Sequence, residues 1–236
     1  MPAKVFVGTS GWTYEWNSEG TLSWYVENSG LNCVELNASF YRFPFPSQVK
    51  SWALKGCGLR WIVKVNQLIT HRFKLNEKAL GLWGRFKELF EPLDKFVDFY
   101  LFQLPPTFTP KSFERLEKFV LECGLGSRFA LEPRNVMWFS REWVDWASRL
   151  GITWVSVDSP EHPREIYSSN GLVYVRMHGR TFWYSHYYED EELEEIARKI
   201  LEIKPLKSYI LFNNDTNMLE NARRMYSLLK KLFQCI

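Results

Sequence analysis

No stretch of this chain is apolar for long enough to cross a bilayer, which takes roughly 20 residues. The longest candidate, Phe96 to Leu104, is short and carries Asp98 and Gln103. Cysteine is sparse: Cys33, Cys57, Cys123 and Cys235 make no CxxC pair and no zinc-finger spacing, which argues against a zinc module or a disulfide framework and for scattered thiols in a reducing compartment. Neither HxH nor HExxH occurs among the 4 histidines, so no local metal signature is present and no metal or other cofactor is expected. Ser10 and Ser39 lack a G-x-S-x-G elbow, and Gly8-Thr9-Ser10-Gly11 is not the GxGxxG dinucleotide turn. Internal repeats, low-complexity tracts and linkers are absent. Charge of one sign does not dominate either: the net charge is +3 with pI ≈ 8.6, too mild to imply nucleic acid by itself. Met1-Pro2-Ala3-Lys4-Val5 leads almost at once into a strand, so no leader is expected and the chain is read as cytoplasmic.

What is present is ordinary globular hydrophobicity, 46%, with a high aromatic share of 17%, over 236 residues that can bury a large core. Apolar runs predict eight strands: Val5–Thr9, Cys33–Asn37, Trp61–Asn66, Val97–Leu104, Phe129–Arg134, Thr153–Asp158, Leu172–His178 and Tyr209–Asn213. Most are continuously apolar, as strands buried on both faces must be. Helical spacing lies between them at Asn76–Phe90, at Phe113, Leu116, Phe119, Val120 and Cys123, at Trp143, Trp146, Ala147 and Leu150, at Glu191–Ile203 and at Asn221–Phe233. The connection after Asp158 contains proline and little periodicity, so a helix there is expected to be missing or reduced. Alternating strands and helices predict an α/β fold with a parallel sheet. Closed up, it is a single TIM-type (β/α)8 barrel over residues 1–236; an open doubly wound sheet is the alternative.

The strand ends carry the functional signal. Apolar strands finish in polar pairs spaced i, i+2: Glu35 and Asn37, Lys64 and Asn66, Glu132 and Arg134, Ser156 and Asp158, Arg176 and His178. Each pair points one way, and the C-terminal mouth is where such barrels act. Aromatic-rich loops on the same side contain Trp12, Tyr14, Phe40, Tyr41, Trp138, Phe182, Trp183, Tyr184, Tyr187 and Tyr188.

These segments also resemble a family. Gly8-Thr9-Ser10-Gly11-Trp12 and Glu35-Leu36-Asn37-Ala38-Ser39-Phe40-Tyr41 are similar to the opening of the YecE-like family, domain of unknown function 72. Lys64 with Ile69-Thr70-His71, then Gln103-Leu104-Pro105-Pro106, Glu132-Pro133-Arg134 with Trp138, Val175 to Arg180, and Phe212-Asn213-Asn214-Asp215 with Asn221-Ala222 follow in order. The resemblance implies a TIM-type barrel and, by itself, no reaction. Where the family commonly has Arg-His before Ser-Trp, this chain has Arg134-Asn135 and Met137-Trp138, so no role for that histidine carries over.

Glu35, Glu132 and Asp158 face Lys64, Arg134 and Arg176 in this reading, with His71 and His178 beside them. Four uses are open. A ring of buried salt bridges could close the barrel top. Glu, Asp and His at strand ends could hold a metal, as in endonuclease IV-like or xylose isomerase-like barrels, although the cations would repel one. An anion site would bind chiefly through Arg176, with Arg134 and Lys64 as helpers, Trp12, Tyr41, Trp138 and Tyr184 as stacking walls and Asn37, Gln103 and Asn214 as polar helpers. Acid–base catalysis would fall first to His178 or Glu132, with Glu35 and Asp158 as further carboxylates. The ligand classes are a small phosphorylated or carboxylated sugar-like or nucleotide-like molecule, or an extruded nucleotide of a nucleic acid; a non-catalytic binding barrel is the third.

Overall fold

The computed structural model describes residues 4–234; Met1 to Ala3, Cys235 and Ile236 lie outside the described residues. Eight parallel strands form a closed barrel in chain order: β1 (Lys4–Ser10), β2 (Cys33–Leu36), β3 (Arg60–Lys64), β4 (Val97–Gln103), β5 (Phe129–Glu132), β6 (Thr153–Asp158), β7 (Leu172–Met177) and β8 (Lys207–Phe212). β1 completes the ring by pairing with both β2 and β8. Helices surround it: α1 (Leu22–Asn28), α2 (Ala38–Tyr41), α3 (Pro46–Lys55), α4 (Glu77–Leu89), α5 (Phe113–Cys123), α6 (Arg141–Arg149), α7 (Asp190–Ile203) and α8 (Met218–Gln234).

Every strand is buried twice, which is why the sequence runs apolar without alternation. Inward residues Cys33, Ile62, Phe99, Leu101, Ala130, Val155, Tyr174, Tyr209 and Leu211 form one cluster with Phe6 and Leu172. Phe6 stacks on Tyr209 at 4.7 Å, and Phe99 meets the same ring edge-on at 4.7 Å, so the barrel centre is packed rather than hollow. Gly8 faces this crowded interior. A Cβ there would sit 2.2 Å from the Cys33 carbonyl oxygen, so only glycine allows β1 and β2 to approach. Outward residues pack under the helices: Phe102 stacks on Phe129 at 3.9 Å, and losing such a ring costs about 3–5 kcal/mol.

The helices bury the stripes their spacing predicts: Leu116, Phe119, Val120 and Cys123 on α5, and Leu193, Ile196, Ala197 and Ile200 on α7. Asn76 caps α4 by accepting from the backbone N–H groups of Lys78 and Ala79. Three helices, α1, α2 and α3, have no readable pattern in the sequence. α1 is short, and α3, which starts at Pro46, fully buries only Val49. Residues 159–171 contain no helix, as the prolines there suggested. Ser169 holds that segment instead, accepting from the Trp154 N–H and donating to the Ile152 carbonyl. Several strands end earlier than expected, leaving Asn37, Asn66, Arg134, His178 and Asn213 just past the ladders.

Candidate functional site

Ser10, Glu35, Lys64, Gln103, Glu132 and Arg176 are the last or next-to-last residues of β1, β2, β3, β4, β5 and β7. Each lies two positions beyond an inward residue: Gly8, Cys33, Ile62, Leu101, Ala130 and Tyr174. The same alternation therefore brings all six to the mouth, directly above the aromatic plug.

Arg176 is the centre of this layer and has no exposed surface. Its Nε and Nη2 donate to the two oxygens of Glu35 at 2.8 and 2.5 Å, and its Nη1 donates to Glu132 at 2.6 Å. Glu35 also accepts from the Ser10 hydroxyl and the Tyr174 hydroxyl, each at 2.7 Å. Glu132 accepts from Gln103 at 3.0 Å and lies 2.5 Å from Arg134 Nε. Burial alone would raise both carboxyl pKa values. The guanidiniums outweigh it, Arg176 for Glu35 and Arg134 with Arg176 for Glu132, and Glu132 is lowered to about 2. Both stay ionised, so neither holds a proton to give as a general acid.

His178 is fully buried, and burial together with Arg134 and Arg176 pushes it well below 6.5. Its Nε2 lies 3.1 Å from Arg134 Nη2 and 3.2 Å from Arg176 Nη1. Those groups only donate, so Nε2 is the acceptor; the Asn213 side-chain amide lies 3.1 Å from Nδ1. The lone pair a general base would use is already taken.

Lys64 is different. Only 6% of its surface is exposed, yet among the described residues its ammonium makes no hydrogen bond and no ion pair. Nζ sits 4.3 Å from the centre of the Phe40 ring. Burial, then Arg176, lowers its pKa from 10.5 to about 7, against the attraction of Glu132 and Glu35. That drop corresponds to about 5 kcal/mol against the charged form; the ring face opposes it by about 1–2 kcal/mol. Phe40 also meets His71 edge-on at 5.0 Å. His71 accepts from or donates to Thr70 and is lowered to about 4 by burial and by Lys64 and Arg134, so it is neutral. Arg134 keeps 10% of its side-chain surface. It lies under Trp183, 4.9 Å from that ring, and its Nη1 has no protein partner among the described residues.

Other candidates are not brought to this cluster. Asp158 points out of the barrel, because Val155 and Val157 are the residues of β6 that take the inward positions. It accepts from Tyr188 at 2.8 Å and pairs with Arg180, which reaches Glu195 on α7. Trp12 packs in the outer core against Trp52 and Trp61. Trp138 is fully buried and donates to the Phe108 carbonyl. Asn214 ties the His186 carbonyl to Asn221. Tyr41 is 68% exposed, and Asn37 is half-buried at the start of α2. The sequence reading overlooked Phe40 and Trp183 as contacts of the cations, and Ser10 as a partner of Glu35. Ser10 obeys the strand-end rule; Trp183 reaches Arg134 from a loop whose next residue, Tyr184, has φ 66°. With Asp158 removed, the three cations Lys64, Arg134 and Arg176 face two carboxylates, so the mouth carries one positive charge in excess when Lys64 is protonated.

A family described as "Protein of unknown function DUF72" matches residues 6–235. This chain belongs to the DUF72 family. Among curated proteins, UPF0759 protein YecE of Escherichia coli (strain K12) is 26% identical over 139 residues, 58% of this chain and 51% of that protein; the chain spans about half the length of that curated relative. A DUF72 family protein from Enterococcus faecalis has the same fold, with 21% identity, 96% of this chain and 95% of that chain covered, and a TM-score of 0.83. One from Thermotoga maritima is 26% identical, with 98% and 100% covered and a TM-score of 0.82. Among the described residues, no three His, Cys, Asp or Glu side chains are grouped to hold a metal ion, and no helix is long and apolar enough to cross a membrane.

Proposed function

We propose that this DUF72 barrel binds a small anionic ligand, phosphorylated or carboxylated and sugar-like or nucleotide-like, at its C-terminal mouth. The observation that carries the proposal is Lys64: a nearly buried lysine whose ammonium makes no hydrogen bond or ion pair among the described residues, beside the free Nη1 of Arg134. A ligand anion there supplies the missing partner and recovers part of what burial costs the lysine. Phe40 and Trp183 flank the two cations and suit a sugar face or a base. Arg176 serves the site from behind, by fixing Glu35 and Glu132, rather than by gripping the ligand. A reducing, cytoplasmic setting accompanies this proposal, in keeping with the unpaired thiols of Cys33, Cys57 and Cys123.

Titration calorimetry with inorganic phosphate, sulfate, sugar phosphates and short oligonucleotides tests it. The wild type should bind at least one of the small anions, and Lys64→Met or Arg134→Met should weaken that binding by about 2 kcal/mol or more. Oligonucleotide binding that falls steeply with salt, without small-anion binding, would favour nucleic acid instead. If no anion binds, or if both variants bind as well as the wild type, the anion site is wrong.

A further inference from the structure

We infer that Lys64 is a nucleophile: its amine forms an imine with the carbonyl group of a small anionic ligand held in the mouth. The inference rests on the anion-binding proposal for the ligand's charge, and on independent geometry for the chemistry.

Three features of the site set Lys64 apart. Its side chain leaves the C-terminal, mouth end of β3 on the inward face and is almost wholly enclosed, so its orientation is fixed by the barrel rather than by solvent. Its backbone is held as well: the Ser39 hydroxyl donates to the Lys64 carbonyl at 2.6 Å. Its nitrogen is uncommitted among the described residues, facing the Phe40 ring instead of a carboxylate. A lysine recruited only for structure would be expected to share Glu35 or Glu132, yet both carboxylates are claimed by Arg176 and Arg134. Desolvation beside other cations is the arrangement that keeps a lysine amine unprotonated and reactive. The charged groups acting on it are Arg176 and Arg134, which disfavour its proton, and Glu132 and Glu35, which favour it. His71, the titratable group on the turn after β3, is neutral and adds no opposing charge near pH 7.

The step balances without a co-reactant. The amine lone pair attacks the carbonyl carbon and the C=O π electrons move to oxygen. The resulting carbinolamine loses that oxygen as water, which takes one proton from the nitrogen and one from solvent. Nitrogen keeps its other hydrogen and is left doubly bonded to carbon, with the single positive charge that the solvent proton brought. An anionic group elsewhere on the ligand keeps Arg134 as its partner throughout, and the iminium's charge lies between Glu35 and Glu132 on one side and the ligand anion on the other.

Borohydride reduction converts such an iminium to a stable secondary amine that peptide mass spectrometry can locate. The protein would be incubated separately with pyruvate, dihydroxyacetone phosphate and the uncharged propanal, reduced, and digested. Pyruvate or dihydroxyacetone phosphate should give one adduct per chain, on Lys64, at concentrations that leave the other lysines largely unmodified. Its yield should rise with pH through about 7, and inorganic phosphate should suppress it. Lys64→Met should lose it, and the wild-type peptide map decides the matter even if that variant folds poorly. Labelling of surface lysines with Lys64 spared, for both anionic carbonyls, overturns the inference; if phosphate still binds, the anion site survives without it. Trapping of propanal at Lys64 as readily as pyruvate keeps the imine and overturns the anionic ligand.

Discussion

Replacing Arg176 with methionine isolates the structural half of the mouth. The change removes the guanidinium that spans Glu35 and Glu132 and leaves two fully buried carboxylates. Glu35 keeps only the Ser10 and Tyr174 hydroxyls; Glu132 keeps Gln103 and Arg134. Breaking a buried pair by deleting one partner costs about 3–5 kcal/mol. The loss should not double for two carboxylates, because Glu132 retains a cation and the variant no longer desolvates a guanidinium. Against a typical total of about 5–15 kcal/mol, the effect should be plain in urea unfolding followed by tryptophan fluorescence. The pH dependence has a definite sign. Without Arg176, burial raises Glu35 above 4.5 in the folded variant, so the folded state binds more protons than the unfolded chain above that pH. Variant stability then falls as pH rises from about 4.5. In the wild type both carboxylates are depressed and nothing is lost until pH drops below 4.5. The deficit should therefore be larger at pH 7 than at pH 5. A loss under about 1 kcal/mol, or an equal loss at both pH values, would refute the reasoning.

Three further outcomes follow from the same charges. Glu132, lowered from 4.5 to about 2, contributes stability that is complete above 4.5 and lost as pH falls towards 2. About 3 kcal/mol of acid sensitivity should be missing in Glu132→Gln when the two acid-unfolding curves are compared. Lys64, lowered from 10.5 to about 7, makes the unfolded chain bind the extra proton between those values, so its burden is complete below 7 and fades as pH rises to 10.5. Lys64→Met should be about 2–5 kcal/mol more stable than the wild type at pH 6, with the gap narrowing by pH 9; a variant less stable at pH 6 would contradict this. Asp158→Asn should reduce stability through Arg180 and Tyr188 yet leave phosphate affinity unchanged in calorimetry, since Asp158 lies outside the barrel.

The barrel was legible because its strands are buried on both faces and so read as continuous apolar runs. The strand-end rule also worked where inward parity coincided with polarity: Glu35, Lys64, Glu132, Arg176 and His178 come together for that reason. It failed on β6. Ser156 and Asp158 alternate as faithfully as the others, but periodicity does not say which face is inside, and there the interior took Val155 and Val157. The expected one-to-one match of cations and carboxylates failed with it, and that mismatch is what leaves Lys64 unpaired. Loop aromatics were misread for a different reason. Trp12 and Trp138 have the composition of pocket walls, but their loops fold beneath helices, where large rings fill the outer core. Trp183 reaches Arg134 only through a loop with a left-handed backbone at Tyr184, a geometry with no sequence period.

The central claim is that Lys64 is the mouth's uncompensated cation, waiting for an anion. The most direct measurement is the titration of its side-chain Cε–Nζ signal by isotope-edited NMR, assigned by its loss in Lys64→Met, with and without inorganic phosphate. The midpoint should lie near 7 in the free protein and move upward when phosphate binds, because an anion that favours the charged form must raise its pKa. A midpoint near the ordinary 10.5 that phosphate does not move would contradict the account.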